Sequence, residues 1–188
     1  MRVLGVDPGI GRTGVAVVDG GPGRMTLLHA ECLETVPQTS EPHRLLSLFE
    51  LVAGAVRATR PDVAAVEQLF FSTNKRTAMR VSEARGVVLC ALAQSGVAVV
   101  EYTPTQVKEA VCGYGAARKP QVSRMTAKLL RLESLPGPDD VADACAVAVC
   151  HHHRASLGAR VAMHRTARSH ALDAAIATAR AKLTRSAR

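Results

Sequence analysis

Tryptophan is absent from this chain, and aromatic side chains are scarce, with three Phe and two Tyr in 188 residues. A core must therefore be built mainly from aliphatic side chains. The 47% hydrophobic content is ample for one, which excludes wholesale disorder. No apolar run reaches the roughly 18–20 residues of a membrane span. The opening segment MRVLGVDPG carries one basic residue and meets Asp7 too early for a secretion signal. No C-x-x-C pair occurs and the five cysteines are an odd number, which fits free thiols in a reducing cytosol and a cytoplasmic protein. Secreted and membrane classes fall away.

Acid is nearly missing from the C-terminal segment. Residues 151–188 hold eight basic residues and one acid, Asp173, whereas residues 1–150 hold 16 basic and 15 acidic residues. The net charge of +8 therefore resides almost wholly in the tail. A mass of 19.9 kDa suits one α/β domain over residues 1–155, followed by a basic Ala/Arg-rich tail over 156–188 that is either helical or disordered. Such a tail either meets a polyanion, nucleic acid or an acidic surface, or is a solvated, frayed helix.

Hydrophobic periodicity divides the body. Residues 2–7 read as a buried strand ended by Pro8-Gly9. Residues 14–18 form a second strand before the turn Asp19-Gly20-Gly21-Pro22-Gly23, and residues 25–35 a third, giving an antiparallel meander. Leu45, Leu48, Phe49, Val52 and Val56 mark a helix over 41–59 that stops at Arg60-Pro61. Val63–Glu67 is a short strand flanked by helices, hence central and parallel. A helix over 76–94, a strand over 97–101, helices over 104–111 and 120–132, and a last helix over about 139–153 complete the pattern. The expectation is a five-stranded mixed sheet, three antiparallel strands then parallel ones, flanked by helices.

The run Gly9-Ile10-Gly11-Arg12-Thr13-Gly14 matches a dinucleotide-binding fingerprint, but a strand follows where that site needs a helix. A tight β-hairpin fits better. Cys145, Cys150 and His151–His153 do not have the spacing of a standard zinc site, and adjacent helical histidines point about 100° apart.

Carboxylates carry the chemistry. Asp7 ends the first strand, on the face of Val3 and Gly5, and Glu67 ends the short parallel strand. Asp140 and Asp143 stand at i and i+3 on the last helix and point to one side. Taken singly, Asp7 and Glu67 could be solvent-facing strand ends, and Asp139 and Asp140 helix-capping residues. Together, two acids at the ends of buried strands and an aspartate pair on a helix are what two divalent ions require, and phosphodiester chemistry suits them.

The segments GVDPG at 5–9, VEQLFF at 66–71, QVKEAVCGYGAARKPQV at 106–122 and DDVADACAVAV at 139–149 resemble the RuvC family of Holliday junction resolvases. The resemblance runs from about residue 2 to 153. It implies a ribonuclease-H-like fold, a homodimer that binds four-way junction DNA, and nicking of two strands of like polarity during recombination and repair. It also implies two Mg²⁺ ions per site, with Mn²⁺ as a substitute, and RuvA and RuvB branch-migration proteins as partners. By motif, Asp7, Glu67, Asp140 and Asp143 correspond to metal-binding catalytic acids, and Asp139 to a cap or outer group. Lys108 and Lys119 correspond to lysines near the DNA backbone, Lys119 also to a catalytic one, and Phe70 to an aromatic that stacks on an unpaired base. Asn74, Lys75, Arg76 and Arg80 form a polar, basic segment suited to a DNA-contacting loop that leads into a helix.

Two other classes compete. An actin-like nucleotide-binding protein needs a second phosphate loop in a second lobe, for which 188 residues leave no room. An idle DNA-binding scaffold would not need all four acids. The helix over 76–94 carries one apolar stripe of Val81, Ala84, Val88 and Leu92 and another of Val87, Leu89, Cys90 and Ala91. Either both are buried within one chain, or one meets a second copy across a two-fold axis.

Overall fold

β-Branched runs punctuated by glycine turns make the N-terminal third a meander. In the computed structural model, which describes residues 1–68 and 75–155 and leaves the side chains of 75–77 outside that description, β1 (Arg2–Asp7), β2 (Arg12–Gly21) and β3 (Arg24–Glu34) pair antiparallel. Helix α1 (Glu41–Thr59) leads to β4 (Val63–Glu67), α2 (Lys75–Gln94) to β5 (Ala98–Tyr102), and α3 (Pro104–Cys112) and α4 (Lys119–Leu129) follow. A final helix, α5, occupies residues 139–155. The sheet order is β3-β2-β1-β4-β5, with β4 parallel to both β1 and β5, as expected for a short apolar strand between helices. Local chemistry fixes the helix ends. Pro42 pre-sets the first turn of α1, Arg60 closes it in the left-handed conformation, and Thr103 caps α3 by accepting from the Gln106 amide.

Strand alternation sorts the core into two layers. On one face Val3, Ala16, Val18 and Ala65 pack with Ala144, Val147 and Ala148 of α5. On the other, Leu4, Val6, Val17 and Val66 pack with Leu48 and Val52 of α1 and with Ala84, Val88 and Leu92 of α2. Val88 and Leu92 are therefore core within one chain, and a surface for a second copy cannot use them; Cys90, on the other stripe, is exposed. The compact unit Met1–His153 contains all of these elements, with α5 as far as His153. The basic C-terminal segment, residues 156–188, lies outside the described residues. Among the described residues no helix is long and apolar enough to cross a membrane.

The three consecutive histidines act as anchors of α5. His151 Nδ1 and the Tyr102 hydroxyl are 2.9 Å apart, His152 Nε2 donates to the Val18 carbonyl at 3.0 Å, and His153 Nδ1 donates to the Ala110 carbonyl at 2.8 Å. They point to three different elements, which removes any shared metal role. Burial holds His151 and His152 below the usual histidine pKa, and pushes the Cys145 thiol up to about 12.

Candidate active site

Parallel pairing aligns the two strand-end acids. Val6 lies opposite Val66, so Asp7 and Glu67, each one residue further on, emerge side by side at the same end of the sheet. Both belong to the face that α5 covers. That helix approaches closely because two glycines let it: a Cβ on Gly5 would overlap the Ala144 carbonyl, and one on Gly14 would overlap the Asp140 carbonyl. Gly14 is also the β2 partner of Asp7. The first turns of α5 are thereby held against the strand ends, and Asp140 and Asp143 join the two acids.

The resulting charge density is visible in their protonation. Burial, then the charges of Glu67, Asp143 and Asp140, raises the Asp7 pKa to about 8. Burial and the charge of Asp143 raise Glu67 to about 7, although a hydrogen bond shared with Asp7 and the positive charges of Lys119 and Lys108 oppose the rise. Two carboxyl groups that share a hydrogen bond must share a proton, so they titrate as a pair.

Cations lean on the remaining two acids. Lys119, at the start of α4, places Nζ 2.8 Å from Asp143 Oδ2 and 3.4 Å from Asp139 Oδ2. Burial alone would lower the Lys119 pKa, but its bonds to Asp143 and Asp139 raise it overall, so the ammonium stays charged. Arg12 Nε lies 3.0 Å from Asp140 Oδ2 as an ion pair, yet this buried oxygen accepts no hydrogen bond among the described residues. The 3.0 Å separation is what matters electrostatically; the angle is too poor for a bond. Beside the acids opens a cavity of about 230 Å³, lined by Glu67, Lys108, Lys119 and Asp143 with Val107 and Ala146. A cavity of about 580 Å³ between β3 and α1, lined in part by Glu31, Glu34 and Glu50, holds none of these residues.

Among the described residues no three His, Cys, Asp or Glu side chains close around one point, because Asp140 turns to Arg12 and Asp143 to Lys119. The donor set nevertheless fits a hard divalent ion. It consists of carboxyl oxygens only, with the Asp7 and Glu67 pKa values raised by burial and by the neighbouring acids, together with a buried Asp140 oxygen that accepts no hydrogen bond among the described residues.

The structure thus brings together Asp7, Glu67, Asp140, Asp143, Lys108 and Lys119. Asp139 is 80% exposed and belongs to the rim. Phe70 and Asn74 lie outside the described residues, and Lys75 and Arg76 fall in the first turn of α2 with their side chains outside the description. Arg80 places Nε 2.8 Å from Glu41, tying α2 to α1 instead of pairing with the acid cluster. Sequence reasoning overlooked Arg12, Thr13 and Arg44. Arg12 and Thr13 sat inside the rejected glycine fingerprint, and Arg44 shows no signal beyond being a cation among the apolar positions of α1.

Comparisons with known proteins identify the family and the fold. The family model described as crossover junction endodeoxyribonuclease RuvC matches residues 3–151. A relative of that name from Pelotomaculum thermopropionicum is 46% identical over 153 residues, covering 81% of this chain and 93% of its own. The structure of Thermus thermophilus RuvC in complex with a Holliday junction substrate superposes with a TM-score of 0.80 at 38% identity, covering 84% of this chain and 96% of that one. The yeast mitochondrial Holliday junction resolvase, at 13% identity and a TM-score of 0.62 over 81% of this chain and 78% of its own, shares the fold. The five-stranded mixed sheet is thus of the ribonuclease-H-like resolvase type, and the chain belongs to the RuvC family of crossover junction endodeoxyribonucleases.

Proposed function

We propose that this chain resolves four-way DNA junctions by hydrolysing one phosphodiester in each of two strands of like polarity. The observation that carries the proposal is the meeting of Asp7, Glu67, Asp140 and Asp143 with Lys119 at one end of the sheet, from elements as far apart in sequence as β1 and α5. Asp7, Glu67, Asp140 and Asp143 would hold divalent ions, Mg²⁺ with Mn²⁺ as substitute. When bound, such ions supply a more acidic water and a counter-charge for the leaving 3′ oxygen.

The residues themselves do the following. The buried floor beneath Asp7 and Glu67 keeps the carboxylates in a low-dielectric setting, where a phosphate's approach depends on their charge being neutralised. Lys119, half exposed, keeps its proton and faces a phosphate oxygen while tethered to Asp143. Lys108 reaches the same cavity and neutralises backbone charge. Phe70 stacks on an unpaired base at the crossover, and Asn74, Lys75, Arg76 and Arg80 steer the adjacent strand.

A junction has near two-fold symmetry and one site per chain reaches one strand, so two chains form the working unit. The body, residues 1–155, is the nuclease domain, and the tail, 156–188, adds non-specific phosphate contacts. RuvA and RuvB are the partners in branch migration. Incubating the protein with a synthetic four-way junction and with a linear duplex, with and without Mg²⁺, tests this. Paired nicks confined to the junction and to Mg²⁺ are expected; equal cutting of the duplex, or cutting in EDTA, refutes it.

A further inference from the structure

Arg44 is a buried charge that the acid cluster does not use. It lies on α1, is 8% exposed, and its guanidinium bonds to neutral groups only among the described residues. A buried cation without a carboxylate is costly, so the bonds it makes are informative. Its Nε donates to Thr35 Oγ1 at 2.9 Å and its Nη2 to the Ile10 carbonyl at 3.3 Å. The Thr35 hydroxyl donates to the same Ile10 carbonyl at 2.5 Å, and the Thr35 amide donates to the Gly11 carbonyl at 3.1 Å.

Three bonds thus converge on the Ile10 and Gly11 carbonyls, in the connection between β1 and β2, and a fourth ties Arg44 to Thr35. That connection begins at Asp7 and ends at Arg12, the residue that contacts Asp140. Glycines on both sides of Ile10 leave the backbone no stiffness of its own. Stiffness comes from two latches. Thr13 Oγ1 donates to the Gly9 carbonyl at 2.7 Å and accepts from the Gly9 amide at 3.2 Å, and Arg44 with Thr35 holds the far side. Arg44 is itself seated on α1, which packs on the sheet face opposite to the acids. Only a planar guanidinium offers two donors in the fork that reaches both a hydroxyl and a carbonyl.

We propose that Arg44 and Thr35 form a positioning pair for junction cleavage, fixing the Gly9–Gly11 loop and through it the placement of Asp7 relative to the Arg12–Asp140 pair. The inference rests on the reading of Asp7 and Asp140 as the working acids. Arg44→Met keeps the length and apolar packing of the side chain and removes the buried charge, so a purely structural role predicts a folded protein with unchanged chemistry.

The test compares native protein with Arg44→Met, Arg44→Lys and Thr35→Val in three measurements. These are single-turnover nicking at saturating junction, junction affinity by gel shift in EDTA, and the Mg²⁺ concentration that gives half of the metal-induced rise in melting temperature without DNA. For Arg44→Met the nicking constant should fall about 10–30-fold, because sub-ångström displacement of reacting groups costs rate steeply. Half-saturation by Mg²⁺ should rise at least about threefold, and junction affinity should stay within about twofold. Arg44→Lys should recover part of the rate, and Thr35→Val should move both readouts the same way by about 3–5-fold. Nicking and Mg²⁺ response both within twofold of native, or a rate loss equal to the loss of folded protein by circular dichroism, overturns the proposal. If Arg44→Met does not fold, Thr35→Val decides by the same two criteria. An Asp7→Asn protein that still nicks would sink the reading of the acids instead, so the two failures are distinguishable.

Discussion

The two faces of the sheet are packed by different rules. Facing α1 and α2, the strands present large aliphatic residues, Leu4, Val6, Val17 and Val66, which interlock with Leu48, Val52, Val88 and Leu92. Facing α5, Val3 and Val18 stand among the small residues Gly5, Gly14, Ala16 and Ala65, which the helix answers with Ala144 and Ala148. Large side chains keep a helix at a distance and tolerate small adjustments, whereas glycine and alanine bring backbones nearly into contact. The chemistry sits on the close-packed face. There the position of a carboxylate is set by backbone on backbone, with little side-chain slack.

The largest break in this comparison should come from Asp7→Asn. Nicking is expected to fall by about 10³-fold or more, while junction binding is kept or tightened because repulsion of phosphate is relieved. The same substitution should stabilise the protein in EDTA at alkaline pH. A carboxyl whose folded pKa is raised to about 8 from 3.8 binds its proton more tightly folded than unfolded, so its contribution to stability is lost as pH rises from about 4 through 8. Urea melts should show native stability declining over that window and the Asp7→Asn protein gaining on the order of 3 kcal/mol by pH 8. A core substitution on the other face, Val52→Ala, should instead cost on the order of 2 kcal/mol at every pH and leave the rate per folded molecule unchanged.

Gly14→Ala should come next. Its added Cβ can be housed only by moving α5 away from the strands, carrying Asp140 with it. About 100-fold slower nicking by soluble, folded protein is expected. A rate within threefold of native would show that the close approach does not set the carboxylate geometry.

Residues beyond both faces should matter less to the chemistry. Phe70→Ala is expected to slow cleavage of an intact junction about tenfold, but to leave a junction with pre-opened bases at the crossover nearly unaffected, since stacking is worth roughly 1–3 kcal/mol per base. Equal slowing of both substrates would assign Phe70 to general support. The smallest effect belongs to the tail. Deleting residues 156–188 removes seven basic residues and no aromatic, and should lower the slope of log K against log[salt] by about 2–3 without moving the cut sites. An unchanged slope would make the tail a solvated appendage.

Particular residues show how far the sequence could be read. The span of α1 from 41 to 59 and of β4 from Val63 to Glu67 was legible to the residue, because a period of 3.6 or a short β-branched run between turn signals is a local property. Asp7, Glu67, Asp140 and Asp143 were legible as acids in places where burial is expensive, and the family motifs tied them together. The helix α2 was only half legible. Its two apolar stripes said that both sides want cover, but not that Val88 and Leu92 find theirs within the chain. Arg44 was not legible at all, because a cation bonded to a backbone carbonyl 34 positions away leaves no periodic trace. The pairing of Lys119 with Asp143 was invisible for the same reason.

By itself, then, the sequence determined which segments are strands and helices and which side chains bring charge to the ends of apolar elements. Both follow from alternation, helical spacing and turn residues acting over a few positions. Only the tertiary structure decided which of those charges meet. The parallel register of β1 and β4 sets Asp7 beside Glu67, Gly5 and Gly14 admit α5 with Asp140 and Asp143, and Arg44 of α1 holds the loop that follows Asp7. These are contacts between residues far apart along the chain. Their energies depend on distances that no local pattern encodes.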